Sequence, residues 1–134
     1  MARRARVYVG GRTGNKPSLT EKSAITAACE TFIATVLRPR FLPDIRPTEF
    51  NYPIAIHGKW HNNKYRFITR YRSDSPNSYV PEFDVPFARL EYVHQDCFDL
   101  SYYRHTEEWF CLFERLSLAD ALELIGDGSH FQPC

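Results

Sequence analysis

The chain has 134 residues, which is the size of one domain and too little for a second independent core. Hydrophobic residues make up 43% of it and charged residues 25%, a globular composition that excludes a disordered chain, and no apolar run reaches the roughly 18 residues that a membrane span needs. The net charge of +1 is the balance of a basic half, residues 1–73 with 14 Lys and Arg against four acids, and an acidic half, residues 74–134 with three against 12. Such asymmetry is typical of chains that meet an anionic partner, but the two halves can also neutralise each other within one fold or between two copies.

The first predicted unit is a flexible basic segment, residues 1–17, in which Arg3, Arg4 and Arg6 precede three glycines. It lacks the apolar stretch of a signal peptide, so we expect a cytoplasmic protein with no membrane partner. The remaining residues, 18–134, form a single predicted domain.

A helix is predicted to begin after Ser18, because Ser18 and Glu21 have the spacing of a capping box. Apolar residues at three- and four-residue intervals continue to Leu37 and predict one buried stripe. Pro39 is expected to end the helix. An extended strap follows, for which we predict core contacts through Phe41, Leu42 and Ile45.

From Phe50 the apolar residues change to a period of two and predict a strand that reaches Trp60. Asn62 and Asn63 can supply the positive φ angles of a two-residue turn, after which residues 64–72 return as a second strand. In this register both strands bury their aromatic residues on the same face. The opposite face carries the basic residues that we predict as an anion-binding site: His57, Lys59, Lys64, Arg66, Arg70 and Arg72.

Residues 73–86 are rich in Ser, Pro and Asp and are predicted to form a loop. Three further strands follow, with Leu90 opposite Leu100 and with Arg104 beside Trp109 at the next turn. This register leaves the last strands with an apolar outer side, to be covered by a helix or by a second subunit, and we expect it to be the interface of a homodimer. The interface residues are Tyr103, Phe110 and Leu112.

The last predicted element is a short C-terminal helix, capped by Ser117 with Asp120 and ended by Gly126. The complete order predicts an α+β fold. It consists of an antiparallel meander of about five strands, strongly twisted or partly closed, with an N-terminal helix and a short C-terminal helix.

The titratable side chains form no recognisable catalytic, metal or cofactor motif. His57 and His61 supply at most half of a metal site, since no third ligand stands at a matching spacing. Cys97 or Cys111 could pair with a nearby histidine, but neither lies on an elbow or at a helix N-terminus that would activate it. The four scattered cysteines are expected to be reduced. We therefore predict no catalytic residue, no metal and no cofactor.

Three segments are distinctive: YYRHTEEWF (102–110), RPRFLPDIRPTEFNYPI (38–54) and GKWHNNKYRFITRYRS (58–73). With them, residues 22–126 resemble the small uncharacterised bacterial proteins of domain-of-unknown-function families and of mobile (integron) gene cassettes. That resemblance implies no activity and assigns no functional residue.

The resulting expectation is a small, non-enzymatic binding protein that forms a homodimer. One alternative is binding of nucleic acid, another polyanion or an acidic protein through the basic hairpin face together with Arg3, Arg4 and Arg6. A second alternative is a small enzyme with a pocket of His, Cys and carboxylate side chains.

Overall fold

The computed structural model describes residues 16–76, 81–104 and 106–127. Arg3, Arg4 and Arg6, and with them most of the predicted N-terminal segment, lie outside the described residues. Helix α1 (Leu19–Phe32) continues through a π-helical segment (Ile33–Leu37) into a short helix, α2 (Arg38–Phe41). The later elements are β1 (Tyr52–His61), β2 (Lys64–Arg72), β3 (Glu82–His94), β4 (Cys97–Tyr103), β5 (Trp109–Leu116) and α3 (Leu118–Asp127).

The five strands form one antiparallel sheet in the order β1-β2-β3-β4-β5, a meander that is open rather than closed. The predicted α+β architecture is confirmed. At both helix starts the predicted cap is present: the Glu21 amide donates to Ser18 Oγ at 3.1 Å, and the Asp120 amide donates to Ser117 Oγ at 3.1 Å.

The core lies between the helices and one face of the sheet. Rings from the sheet meet edge to face there, with the centroid of Tyr65 5.3 Å from Phe67 and 5.4 Å from Trp60. Full burial of one such side chain contributes about 1.5–3 kcal/mol, so the buried rings contribute strongly to stability. The predicted stripe of the first helix packs onto it with four buried residues: Ile25, Cys29, Ile33 and Leu37.

The prediction that Pro39 ends the first helix is wrong, since helical structure continues to Phe41. In the π-helical segment the backbone N–H of Arg38 donates to the carbonyl of Ile33, five residues back. This wider turn accommodates the proline ring, and the missing N–H falls in the first turn of α2. Of the strap residues predicted to contact the core, Phe41 and Leu42 pack against it, whereas Ile45 is 55% exposed.

The β1–β2 register is confirmed from the turn to the middle of the hairpin, and Asn62 adopts the expected positive φ of 56°. The confirmed pairs are Trp60 with Tyr65, Gly58 with Phe67 and Ile56 with Thr69. A bulge between Pro53 and Ala55 then shifts the ladder, so that Pro53 rather than Ile54 lies opposite Tyr71.

The β3–β4 register is also confirmed, with Leu90 opposite Leu100. A bulge between Tyr92 and His94 in β3 brings the strands into this register. The predicted loop 73–86 is wrong over its last five residues, which belong to β3. Pro86 is tolerated inside this central strand because it lies at a bulge, where its missing N–H is not needed.

The β4–β5 register differs from the prediction by one residue near the turn. Tyr103, not Arg104, lies opposite Trp109, because the turn closes with the Glu107 amide donating to the carbonyl of Arg104 at 2.8 Å. Glu107 has a positive φ of 64°, a conformation that is usual for glycine and rare for glutamate. The residue type therefore gave no indication of this turn.

Gly126 is also placed wrongly by the sequence, because it lies inside α3 rather than after its end. A Cβ at this position would lie 3.3 Å from the ring of Phe32. The glycine therefore permits close packing of α3 against the first helix.

Candidate anion-binding site

The candidate site lies on the face of the sheet that turns away from the helices, which we name the outer face. One row of side chains crosses all five strands there, since each residue is the Cα partner of the next: Lys59, Arg66, Arg89, Ser101 and Cys111. The first three members of this row are cations on adjacent strands. Directly opposed like charges destabilise a sheet, so this row needs an explanation.

The pairing of Arg66 with Arg89 is an exception within the β2–β3 ladder. Elsewhere along it, basic residues of β2 lie opposite acidic residues of β3: Arg72 opposite Glu82, Arg70 opposite Asp84 and Lys64 opposite Glu91. Only Arg66 faces another cation, Arg89. The acidic half of the chain thus does fold against the basic hairpin, but it leaves a positive gap at the centre of the ladder.

Three of the predicted site residues lie beside acidic residues of the same chain. Arg70 Nε donates to Asp84 Oδ1 at 2.9 Å, and His57 Nε2 lies 3.5 Å from Asp84 Oδ2. The hydrogen bond from Arg70 is the main cause that holds the pKa of Asp84 below its usual range. Arg72 pairs with Asp74 at 3.2 Å. These three predicted site residues therefore already have acidic partners.

Lys59, Arg66 and Arg89, which are neighbours in the row, form no ion pair with any described residue. The same is true of Lys64, but Lys64 lies opposite an acidic residue, Glu91. The Nε atoms of Arg66 and Arg89 are buried and make no hydrogen bond within the described part of the chain. Burial lowers the pKa of Arg89; Glu91 opposes this and Arg66 adds to it. Both guanidinium groups still carry a full charge at neutral pH, because arginine is not deprotonated in proteins. We call these three residues the cation cluster.

Trp109 holds the two arginines of the cation cluster in place. The guanidinium carbon of Arg89 lies 4.5 Å from the centroid of its ring and that of Arg66 lies 5.7 Å from it. Tyr103 contacts the same indole edge to face at 5.0 Å. The predicted stacking partner of Trp109, Arg104, instead lies over Phe110 at 4.5 Å. Stacking on an aromatic face orients a guanidinium without neutralising it.

A shallow pocket of about 220 Å³ opens beside Arg66 on the outer face. We call its two apolar lining residues, Ile68 and Pro86, the floor. We call its polar lining residues the rim: Lys59, His61, Arg66 and Asp84. Four of its six lining residues are polar or charged, so it is suited to a charged small ligand more than to an apolar one.

Sequence reasoning placed the basic face correctly but not its centre. The strand alternation around Leu90 already turned Arg89 to the outer face, yet only the β2–β3 register shows that Arg89 lies opposite Arg66. Trp109 was missed because the turn before it contains a left-handed glutamate. His61 was considered only as a metal ligand, and it lines the pocket.

The predicted interface residues are not brought together on one side. Tyr103 contacts Trp109 on the outer face, whereas Phe110 lies opposite Tyr102, which packs against the core. Leu112 falls at a bulge and has no ladder partner. Phe110 and Leu112 are nevertheless 36% and 37% exposed on the edge strand β5.

The cysteines offer no redox or metal centre among the described residues. Cys29, Cys97 and Cys111 form no disulfide bond with a described residue, and burial raises the pKa of Cys29 to about 12. No group of three His, Cys, Asp or Glu side chains in residues 16–76, 81–104 and 106–127 is arranged to hold a metal ion. Over the same ranges, no helix has the length and apolar character required to cross a membrane.

Comparison with known proteins identifies a family for the chain but indicates no activity. No curated protein and no solved structure matches the chain. A family described as a domain of unknown function, DUF3024, matches residues 16–133. Since this match covers most of the chain, the protein belongs to the DUF3024 family.

Proposed function

We propose that the protein acts in the cytoplasm by binding an anionic ligand, without catalysis, at the cation cluster of Lys59, Arg66 and Arg89. The observation that carries this proposal is the reversal of charge pairing at one position of the β2–β3 ladder. Three pairs of that ladder are complementary, and the fourth sets two arginines opposite each other. A bound anion would remove the repulsion, as the acids of β3 do at the other three positions.

The energetics support a bound anion over an unoccupied basic surface. Each directly opposed like-charge pair costs about 0.2–1 kcal/mol, and Arg66 has such a neighbour on both sides. An anion among the three cations converts this cost into charge-assisted hydrogen bonds, which are roughly twice as strong as neutral ones. Lys59 and Arg66 both line the pocket on the outer face, so an anion bound there can reach both side chains.

The charge balance of the whole chain favours a local ligand over a long polyanion. A nucleic-acid-binding domain typically has a pI above about 9, whereas the value here is about 7.7. The ion pairs of Arg70 and Arg72 further shorten the basic track along the hairpin. Nucleic acid therefore ranks second, although a short contact of one or two phosphates would fit the cluster.

Calorimetric titration with inorganic phosphate tests the proposal. We expect saturable binding by the wild type at low ionic strength and at least a tenfold loss of affinity in Arg66→Glu and in Arg89→Gln. The matched control is Arg46→Glu, which makes the same charge reversal at a side chain that is 83% exposed and does not line the pocket. Absence of phosphate binding by the wild type, or equal losses in the control, would refute the proposal.

A homodimer is proposed separately, on the observation that β5 is the last strand of the sheet and exposes Phe110, Leu112 and Phe113. Exposed apolar side chains along an unpaired edge favour association. Light scattering at micromolar concentration should give twice the chain mass, and Leu112→Lys should reduce it to one. A wild-type monomer would contradict this.

A further inference from the structure

The pocket beside Arg66 narrows the class of anion. Its volume of about 220 Å³ lies below the roughly 300–1,000 Å³ of sites for drug-sized ligands, so a dinucleotide or other large cofactor does not fit. It is large enough, however, for more than an inorganic ion. A small organic anion is the occupant that matches its size.

The charge of the pocket specifies the head group of that ligand. Its rim contains one carboxylate, Asp84, whose charge is already compensated by the salt bridge with Arg70. Lys59 and Arg66 are not compensated, which leaves an excess of two positive charges at the rim. A phosphomonoester carries about −1.5 to −2 at neutral pH and matches this excess. A monocarboxylate or one phosphodiester unit carries a single charge and leaves half of it unmatched.

The floor and the far side of the pocket specify the rest of the ligand. Ile68 and Pro86 have hydrocarbon side chains, and Pro86 has no backbone N–H, so these two side chains offer contacts to carbon atoms. Asp84 and His61 on the rim can accept or donate hydrogen bonds to hydroxyl groups. The pocket thus combines a dianion site with a place for a short hydroxylated carbon skeleton.

Building on the proposed anion binding, we infer that the ligand is a small hydroxylated phosphomonoester of the sugar-phosphate class. Its phosphate lies between Lys59 and Arg66, with Arg89 behind it in the same row. Its carbon skeleton lies over Ile68 and Pro86.

A panel of four probes tests this inference on the full wild-type chain in calorimetric titrations at constant ionic strength. The probes are ribose 5-phosphate, inorganic phosphate, succinate and a dinucleoside phosphodiester. We expect ribose 5-phosphate to bind at least tenfold more tightly than each of the others. Equal affinity for inorganic phosphate would overturn the inference and leave the proposed function standing, whereas no binding of any probe would remove both. Tighter binding of the diester or of succinate would assign a different ligand class and also overturn it.

Two variants locate the binding mode. Ile68→Phe fills the floor, so it should abolish the preference for ribose 5-phosphate while phosphate binding is retained. Lys59→Met removes one of the two rim charges, and it should weaken ribose 5-phosphate at least tenfold but the singly charged diester only a fewfold. Lys59 is exposed, so Lys59→Met should fold, and its binding can be measured even if Ile68→Phe does not fold. An unchanged preference in Lys59→Met would contradict the assigned phosphate position.

Discussion

Reversing the charge of Arg66 should make the protein more stable and at the same time destroy its anion site. In the wild type Arg66 faces Lys59 on one side and Arg89 on the other, and each opposed like pair costs about 0.2–1 kcal/mol. Arg66→Glu replaces both repulsive pairs by attractive ones of similar size. The variant loses the contact with Trp109, but at 5.7 Å this contact is near the limit of cation–π attraction and is worth about 0.5 kcal/mol.

After allowance for solvent screening and for the lower strand preference of glutamate, the expected gain is about 1 kcal/mol of unfolding free energy, or about 4 °C in Tm for a domain of this size. Urea denaturation measures the free energy, and Arg66→Gln should show about half the effect because it only removes repulsion. Salt provides a second readout: it should stabilise the wild type by screening the repulsion and should destabilise Arg66→Glu. A variant that melts below the wild type would show that the cluster is not under repulsion, and unchanged phosphate affinity would show that it is not the anion site.

Three further outcomes follow from individual contacts. Gly58→Ala should lower the free energy of unfolding, measured in urea, by about 1–3 kcal/mol, because a Cβ would overlap the ring of Tyr65. Tyr65 cannot move aside, since its aromatic neighbours fix it in the core. Wild-type stability of this variant would contradict the packing. The backbone hydrogen bond from Ser18, followed by that from the Tyr92 hydroxyl, lowers the pKa of Glu21. A depressed folded pKa contributes stability above the unfolded value of about 4.3, and this is lost as the pH falls through the folded value. The acid-induced loss of stability below about pH 5 should thus be shallower in Glu21→Gln, and identical curves would refute the linkage. Trp109→Leu should weaken phosphate binding about two- to fivefold through the lost stacking, with Trp60→Leu on the helix side as the control that leaves it unchanged.

The parts of the fold that follow from local periodicity were predictable. The capping boxes, the buried stripe of α1 and the alternation of β1 and β2 each depend on neighbours within a few residues, and they agree with the structure. The errors lie where the backbone departs from the regular pattern without a matching residue type. Pro39 stays helical because a π turn precedes it, and Glu107 and Arg115 adopt positive φ angles of 64° and 58° that no glycine announces.

The centre of the candidate site is among the features that local periodicity does not predict. Lys59 and Arg66 are joined by a two-residue turn, so their opposition is readable from the sequence. The opposition of Arg66 and Arg89 depends on a connection that includes residues 73–81 and on the bulge between Phe67 and Ile68, and a shift of one residue would have turned Arg89 toward the core. The bulge in the β2–β3 ladder is thus part of what builds the site.

The same geometry explains why the basic hairpin is not a general polyanion surface. β3 returns next to β2 with its acids near both ends of the strand: Asp84 forms a salt bridge with Arg70, and Glu91 lies opposite Lys64. What remains is a positive patch about one residue wide on each of three strands. Long-range attraction for nucleic acid requires charge along a track, whereas a compact dianion requires a few cations that converge on one point. The meander supplies the second arrangement, because its strands bring Lys59, Arg66 and Arg89 into one row from positions up to 30 residues apart in the chain.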